Sequence, residues 1–445
     1  MWKEKNKPMQ EIRERIKSVV PGGIDGNAKL FSGEIPIASR GKGAYVYDAN
    51  GKQYIDYIGG YGPLLFGHAN QELTESLYST MKNGTLYGLP HELMYKVGEK
   101  IVDILPSAEM VRFTNTGTEA TLNALRLAKG VTKRDKIIKF YGCYHGTHDF
   151  VLIGTKPVTT KTTLPNAQAD SAGIAAGVQK DIYTLQFNDS EGFKEFMATH
   201  GEEIAAVIVE PIIGSYGIVA EQTFMETLRD ETSRYGSLLI FDEIITGFRL
   251  GLGGAQAYYG VTPDITTLGK VLGGGIPIGL FAGKKEFMQR IIPQGDPIVD
   301  SEETVYHSGT FNANPLALAA CNWVITKLIN EPEVLQITNR RSSRLREGFN
   351  QVMQKHGLPG ITVGLDSVFQ WYFGIDKEPK NINDIQNAHM PLLQSFHREM
   401  VKLGVLFIGS PRGFVSAAHS DHDIEQTIEY ADLALSIALD NADEK

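Results

Sequence analysis

Cysteine is nearly missing from this chain: two in 445 residues, Cys143 and Cys321, too few and too far apart for a disulfide framework. They suit a reducing compartment. Positive charge is also in deficit, with 43 Lys+Arg against 52 Asp+Glu and a formal net charge of −9, so no basic field draws in nucleic acid. No apolar run reaches the roughly 18 residues of a membrane span. The opening stretch, MWKEKNKPMQEIRERIKSVV, reads as a charged helix without the apolar centre of a signal peptide. The expectation is a soluble, cytoplasmic protein with neither nucleic acid nor membrane among its partners.

Repeats, low-complexity tracts and linkers rich in Pro and Ser are absent too, and the remaining composition is that of a globular chain, 42% hydrophobic and 21% charged. The length allows roughly three average domains, but large α/β units exceed that average, and one large domain with a smaller partner is expected. From about residue 60 to 330 helical and strand-like patterns alternate. Short apolar runs read as buried parallel strands: MVRFTN near Asn115, KIIKFYG near Gly142, IAAVIVEP near Glu210, LLIFDE near Asp242 and GLFAG near Gly283. Between them, EATLNALRLAKG and FMETLRDETSRYG are amphipathic and end in a glycine suited to stop a helix. Before residue 60, GAYVYDANGKQYIDYIGG signals a hairpin around Asn50-Gly51. After 330 come a long charged helix, strand-like pieces at 368–373 and 405–408, and a terminal helix from about Asp423. The expected division is 1–60, an N-terminal segment packing with the small domain; 61–330, the large domain; and 331–445, an α+β small domain.

Four motifs fall at strand-to-helix turns, which deliver side chains to the ligand-binding edge of a parallel sheet. Thr114-Asn115-Thr116-Gly117-Thr118-Glu119 offers backbone N–H groups, hydroxyls and a close-approach glycine, as a phosphate requires; an ordinary Thr N-cap with Glu119 in a capping role explains it equally. Asp242 follows four apolar residues, so its carboxylate needs a cationic or hydrogen-bonding partner, for chemistry or for simple pairing with a neighbouring Arg or Lys. Lys270 ends the apolar segment beginning at Asp264 and precedes GGGIPIG, a setting in which an amine can lose its proton and act as nucleophile or base, although most lysines are solvated surface charges. Tyr141-Gly142-Cys143-Tyr144-His145-Gly146 puts aromatics at the same edge, if they are not core residues. His145-x-x-His148-Asp149 has a passable metal spacing, but no cysteine or Glu-x-x-His partner supports zinc, so no metal is expected. The glycine-rich stretches lack the GxGxxG pattern of a dinucleotide site.

The order phosphate-type turn, aromatic, buried Asp, then Lys is more specific than any member. With RGKGAYVYDANGKQYIDYIGGYGPLLFGHA, EMVRFTNTGTEATLNALRLAKG, KFYGCYHGTHD, LLIFDEIITGFR, GGAQAYYGVTPDITTLGKVLGGGIPIG and HSGTFNANPLALAA, it makes the chain resemble the class III (subgroup II) pyridoxal-phosphate aminotransferases of fold type I, glutamate-1-semialdehyde 2,1-aminomutase-like branch. The resemblance implies a large domain with a mostly parallel sheet and a smaller α+β domain, pyridoxal 5′-phosphate as cofactor, and a homodimer with shared active sites. It implies a Schiff base on Lys270, Asp242 facing the pyridine nitrogen, the phosphate on Thr116, Gly117 and Thr118, and Thr310 reaching it from the other subunit. It also implies that Tyr144 stacks on the ring with His145 beside it, and that Glu210 and Glu243 lie near, Glu210 ordering the sheet end rather than reacting.

The substrate side departs from the aminomutases. Their Ser and Arg after PGG are replaced by Ile24-Asp25-Gly26-Asn27-Ala28-Lys29, the Gly/Ser gating loop corresponds to residues 153–160, and Ser215 stands for an asparagine. Arg412, in Ser410-Pro411-Arg412-Gly413-Phe414, matches a carboxylate-binding arginine of related β-amino-acid aminotransferases and supplies what Lys29, without a bidentate fork, supplies poorly. The expected function is transfer of an amino group from an amino-acid donor, β-amino acids among the candidates, to a keto acceptor. The alternative is the aminomutase itself, an isomerase.

Overall fold

The computed structural model describes residues 9–27, 36–156, 168–409 and 412–443. Those within 1–71, 336–378 and 387–445 form one compact unit, and those within 72–335 and 379–386 form the other. Among the described residues no helix is long and apolar enough to cross a membrane.

The larger unit is built on seven strands: β1 (Met110–Thr114), β2 (Lys136–Phe140), β3 (Ile182–Leu185), β4 (Ile204–Val209), β5 (Leu238–Asp242), β6 (Ile265–Gly269) and β7 (Gly279–Gly283), ordered β3-β2-β4-β5-β6-β7-β1. β4 and β5 are apolar runs with every residue buried, because a parallel sheet is covered on both faces. One expectation is corrected. GLFAG is a strand, but β7 runs antiparallel to both β6 and β1. Burial alone makes its sequence look like its neighbours', and an apolar run carries no direction. β3, whose sequence is IYTL, escaped notice because four residues with two polar members make no clear run.

Helix α1 (Gly117–Thr132) also differs from expectation at its end. Gly130 does not stop it; the Val305 side chain packs where a Cβ on Gly130 would lie, and Lys133 ends the helix with a left-handed φ of 56°. The helix Gln222–Tyr235 does stop on its glycine, Gly236, at φ 67°.

In the smaller unit the expected hairpin forms, with Tyr45–Asp48 antiparallel to Gln53–Asp56 and Gly51 at φ 85° in the turn. Val405–Leu406 adds to it in parallel, which ties the N-terminal strands to the C-terminal part of the chain. A second sheet pairs Gly360–Leu365, Val368–Phe373 and Arg412–Phe414. The core between these strands and the helices Glu333–Lys355, Met390–Leu403 and Asp421–Asp443 is aromatic: Trp371 stacks on Phe349 at 4.9 Å and meets Phe407 edge-on at 4.8 Å. Such pairs contribute beyond their buried area. Phe349→Ala is therefore expected to destabilise the protein by about 3–5 kcal/mol, read from the urea midpoint; a loss under about 1 kcal/mol would show that this cluster does not hold the unit together.

Candidate active site

Strand register assembles the site at one edge of the seven-stranded sheet. Phe241 pairs with Val209, which sets Asp242 beside Glu210, and Asp242 pairs with Thr267, three residues before Lys270. The reversed strand then carries the edge across to β1: Gly269 pairs with Gly279, and Gly279 with Thr114. A side chain on Gly279 would strike the Thr116 carbonyl and, at 2.5 Å, Thr114 Oγ1. The missing Cβ lets the Thr116 turn close onto the strand that leads from Lys270.

Asp242 is 3% exposed, and its partners decide between the two readings of the sequence. Its hydrogen bonds among the described residues go to an imidazole, a hydroxyl and a backbone N–H. Oδ2 lies 2.8 Å from His145 Nδ1, while Oδ1 accepts from Thr267 Oγ1 and from the Ile244 N–H, both at 3.1 Å. Burial pulls His145 below the usual histidine range, opposed by its bond to Asp242, so a neutral imidazole donates its Nδ1 proton to the carboxylate. The other ring nitrogen, Nε2, is buried with no hydrogen-bond partner among the described residues.

Glu210 orders this edge. Its carboxylate accepts the Tyr144 N–H at 2.7 Å and the Gly214 N–H at 3.3 Å; burial first, and the neighbouring Asp242 second, push its pKa up, while Lys270 pulls it down. Tyr144 is left with its ring 43% exposed. Glu243 faces different work: Ala255 N at 2.5 Å, Gln256 Nε2 at 3.0 Å and Thr246 Oγ1 at 3.1 Å all donate to it, so this buried carboxylate caps the helix Gly254–Tyr259 and is not available to a ligand.

At the start of α1 the capping reading and the anion reading coexist. Thr116 Oγ1 accepts from Glu119 N at 3.1 Å and Glu119 Oε2 accepts from Asn115 N at 2.7 Å, which leaves the first N–H groups of the helix, at Gly117 and Thr118, to an anion. A Cβ on Gly146 (φ 105°) would lie 2.8 Å from Thr118 Cα, and one on Gly117 would lie 3.0 Å from Ile244. The His145 loop and β5 thus close on this turn only because both positions are glycine. Lys270 follows β6 directly in a left-handed conformation, φ 43°, costly for a residue with a side chain. Thr310 is exposed. His148 is turned to Thr121 Oγ1 at 3.2 Å, so the two histidines of the His-x-x-His-Asp motif serve different partners.

In the smaller unit Arg412 opens the strand Arg412–Phe414, its guanidinium 5.9 Å from the Phe414 ring centroid. Tyr61, φ 69°, lies within its electrostatic reach and within that of Asp25. Lys29, and residues 157–160 of the expected gating region, lie outside the described residues.

The comparisons with known proteins agree on the class. A family model described as aminotransferase class-III matches residues 32–369. Over 429 residues the chain is 41% identical to glutamate-1-semialdehyde 2,1-aminomutase 1 of Bacillus cereus, covering 95% of this chain and 97% of the relative. Among solved structures it superposes on an omega-transaminase from Sphaerobacter thermophilus (TM-score 0.89, 32% identity, 98% of each chain) and on a β-phenylalanine aminotransferase from Variovorax paradoxus (TM-score 0.85, 28% identity, 95% and 92% of the chains). The chain belongs to the class-III aminotransferases, and its cofactor is pyridoxal 5′-phosphate. The residues present fit that group: a buried carboxylate for a pyridinium nitrogen, helix-start N–H groups for a phosphate, and an amine for an aldehyde, with the glycines keeping the cradle open.

Sequence reasoning missed Thr267, Thr121 and Lys139. Lys139 is wholly buried in β2 and donates to the carbonyls of Cys143 (3.0 Å) and Ile153, anchoring the loop that carries Tyr144 and His145. Burial pushes its pKa down to about 8. Between there and the ordinary lysine range the unfolded chain holds the extra proton, so this group adds stability as pH rises. The urea midpoint of the wild type should therefore rise relative to that of Lys139→Met from about pH 8 to about pH 10; parallel pH responses would contradict the burial of a titrating ammonium.

Proposed function

We propose that this chain is an aminotransferase that moves an amino group from an amino-acid donor, β-amino acids included, to a keto acid. The observation that carries the reading is the register-built trio of Lys270, Asp242 and His145. When bound, the cofactor draws electrons from the substrate's Cα–H bond. The Lys270 amine would hold the cofactor through its aldehyde and, once free, would carry the proton from the substrate's amine-bearing carbon to the cofactor's aldehyde carbon; a positioned proton transfer of this kind contributes typically 10²–10⁴-fold. Asp242, hydrogen-bonded by His145 and Thr267, would face the pyridine nitrogen and favour its protonated form. Thr116, Gly117 and Thr118 hold the phosphate, and Tyr144 covers the ring.

Thr310 completes the phosphate site from the second subunit of a homodimer. Its neighbours Tyr306 and Phe311 are 76% and 60% exposed, which supports a covered face there. Two buried, unpaired cysteines suit the cytoplasm.

Transfer is preferred to isomerisation because the segment after Pro21-Gly22-Gly23 presents Asp25, a negative charge where the aminomutase branch places carboxylate-binding residues. Arg412 is the residue proposed to bind the substrate carboxylate, with Lys29 as its weaker companion. The aminomutase reading is favoured by the 41% identity to the Bacillus cereus relative.

A visible spectrum recorded with single α- and β-amino donors, with product analysis, separates the two. Bleaching of the bound cofactor with release of a free keto product is expected, and Arg412→Ala should slow it for carboxylated donors but not for simple amines. A protein that no donor bleaches, yet that isomerises glutamate-1-semialdehyde without releasing a keto acid, is an aminomutase.

A further inference from the structure

Thr121 is fully buried on the second turn of α1. Its hydroxyl has one proton and three carbonyls in reach: His145 O at 2.6 Å, Thr118 O at 3.1 Å and Gly117 O at 3.2 Å. The latter two are back-bonds within the helix, which a buried Thr makes by default. The shortest leaves the helix and ends on the backbone of the residue that holds Asp242. His148 Nε2 approaches the same hydroxyl oxygen at 3.2 Å, and burial keeps His148 neutral by pushing its pKa down to about 3. With the Thr121 proton given to His145 O, the oxygen is an acceptor, so the single N–H of His148 lies on Nε2 and locks the hydroxyl rotor. A continuous polar chain results: His148 Nε2–H to Thr121 Oγ1, Thr121 O–H to His145 O, His145 Nδ1–H to Asp242 Oδ2.

We infer that Thr121 is a positioning residue that joins the two ends of the cofactor site. It stands one turn after Gly117 and Thr118 on the helix whose start faces the phosphate, and it grips the loop whose imidazole faces Asp242. Beside the Lys139 and Glu210 clamps on the same loop, this buried hydroxyl is the direct tie between the phosphate turn's helix and the residue that holds the acid. Gly146, closed against Thr118, keeps the loop near enough for that bond. The inference rests on the assignment of these two ends to pyridoxal phosphate, as proposed above.

The test compares Thr121→Val, which keeps the shape and removes the hydroxyl, with Thr121→Ser, which keeps the hydroxyl. In apoprotein, the low-field proton NMR resonance of His145 Nδ1–H, identified by its loss in His145→Gln, reports the contact with Asp242 without any cofactor. The dissociation constant of pyridoxal phosphate is then read by fluorescence titration of each apoprotein. Thr121→Val should move or broaden the resonance and weaken the cofactor about tenfold, the scale of a lost buried hydrogen bond; Thr121→Ser should restore both. A valine variant that merely melts earlier, with resonance and dissociation constant as in the wild type, overturns the inference. Should the valine variant not fold, His148→Phe, which frees the hydroxyl rotor but leaves the hydroxyl, takes its place: a shifted resonance supports the chain and an unchanged one overturns it. Failure of the underlying assignment looks different, since wild-type apoprotein would then not bind pyridoxal phosphate.

Discussion

A carboxylate sealed at the end of a parallel sheet is the constraint around which the larger unit is organised. Asp242 is worth placing there only if both oxygens are satisfied, because an unpaired buried charge costs several kcal/mol. His145, Thr267 and the Ile244 N–H satisfy them. Each partner brings its own requirement. Thr267 must sit in register on β6, which also delivers Lys270 three residues later. His145 must be held on a loop clamped by Lys139, Glu210 and Thr121. Buried ion-binding groups of this kind contribute little to net stability; their effect is a single fixed arrangement of the edge, held ready for a charged ligand.

The reversed strand β7 is the second device. Running β7 backwards brings its first residue, Gly279, to the edge that carries the site, and a glycine there lets the Thr116 turn close. The three glycines Gly117, Gly146 and Gly279 are thus a matter of clearance more than of loop flexibility.

Much of this was legible in the residues. The apolar runs ending in Glu210 and Asp242 announce buried strands, whereas the expected buried strand MVRFTN lies at the sheet edge and is only partly buried, and polar residues at the C-terminal ends announce the site. Lys270 stood out because a lysine after a buried strand demands an explanation. Direction was not legible: GLFAG has the pattern of its neighbours and the opposite sense. Nor were the tertiary hydrogen bonds, since Thr121 reads as one polar residue on an amphipathic helix and Thr267 as one of two threonines in a strand. Nor does the sequence show that Glu243, adjacent to Asp242, spends its acceptors on Ala255 and Gln256. Arg412 was legible as a short motif, but which ligand group it meets depends on contacts that no spacing encodes.

The central claim is that the amine at the end of β6 holds the cofactor at the edge governed by Asp242. Borohydride treatment of the purified holoprotein, followed by proteolysis and mass mapping, tests it most directly. The account predicts a pyridoxyl-phosphate mass added to the peptide containing Lys270 and to no other. The same mass on Lys139 or on a surface lysine, with Lys270 unmodified, would contradict it.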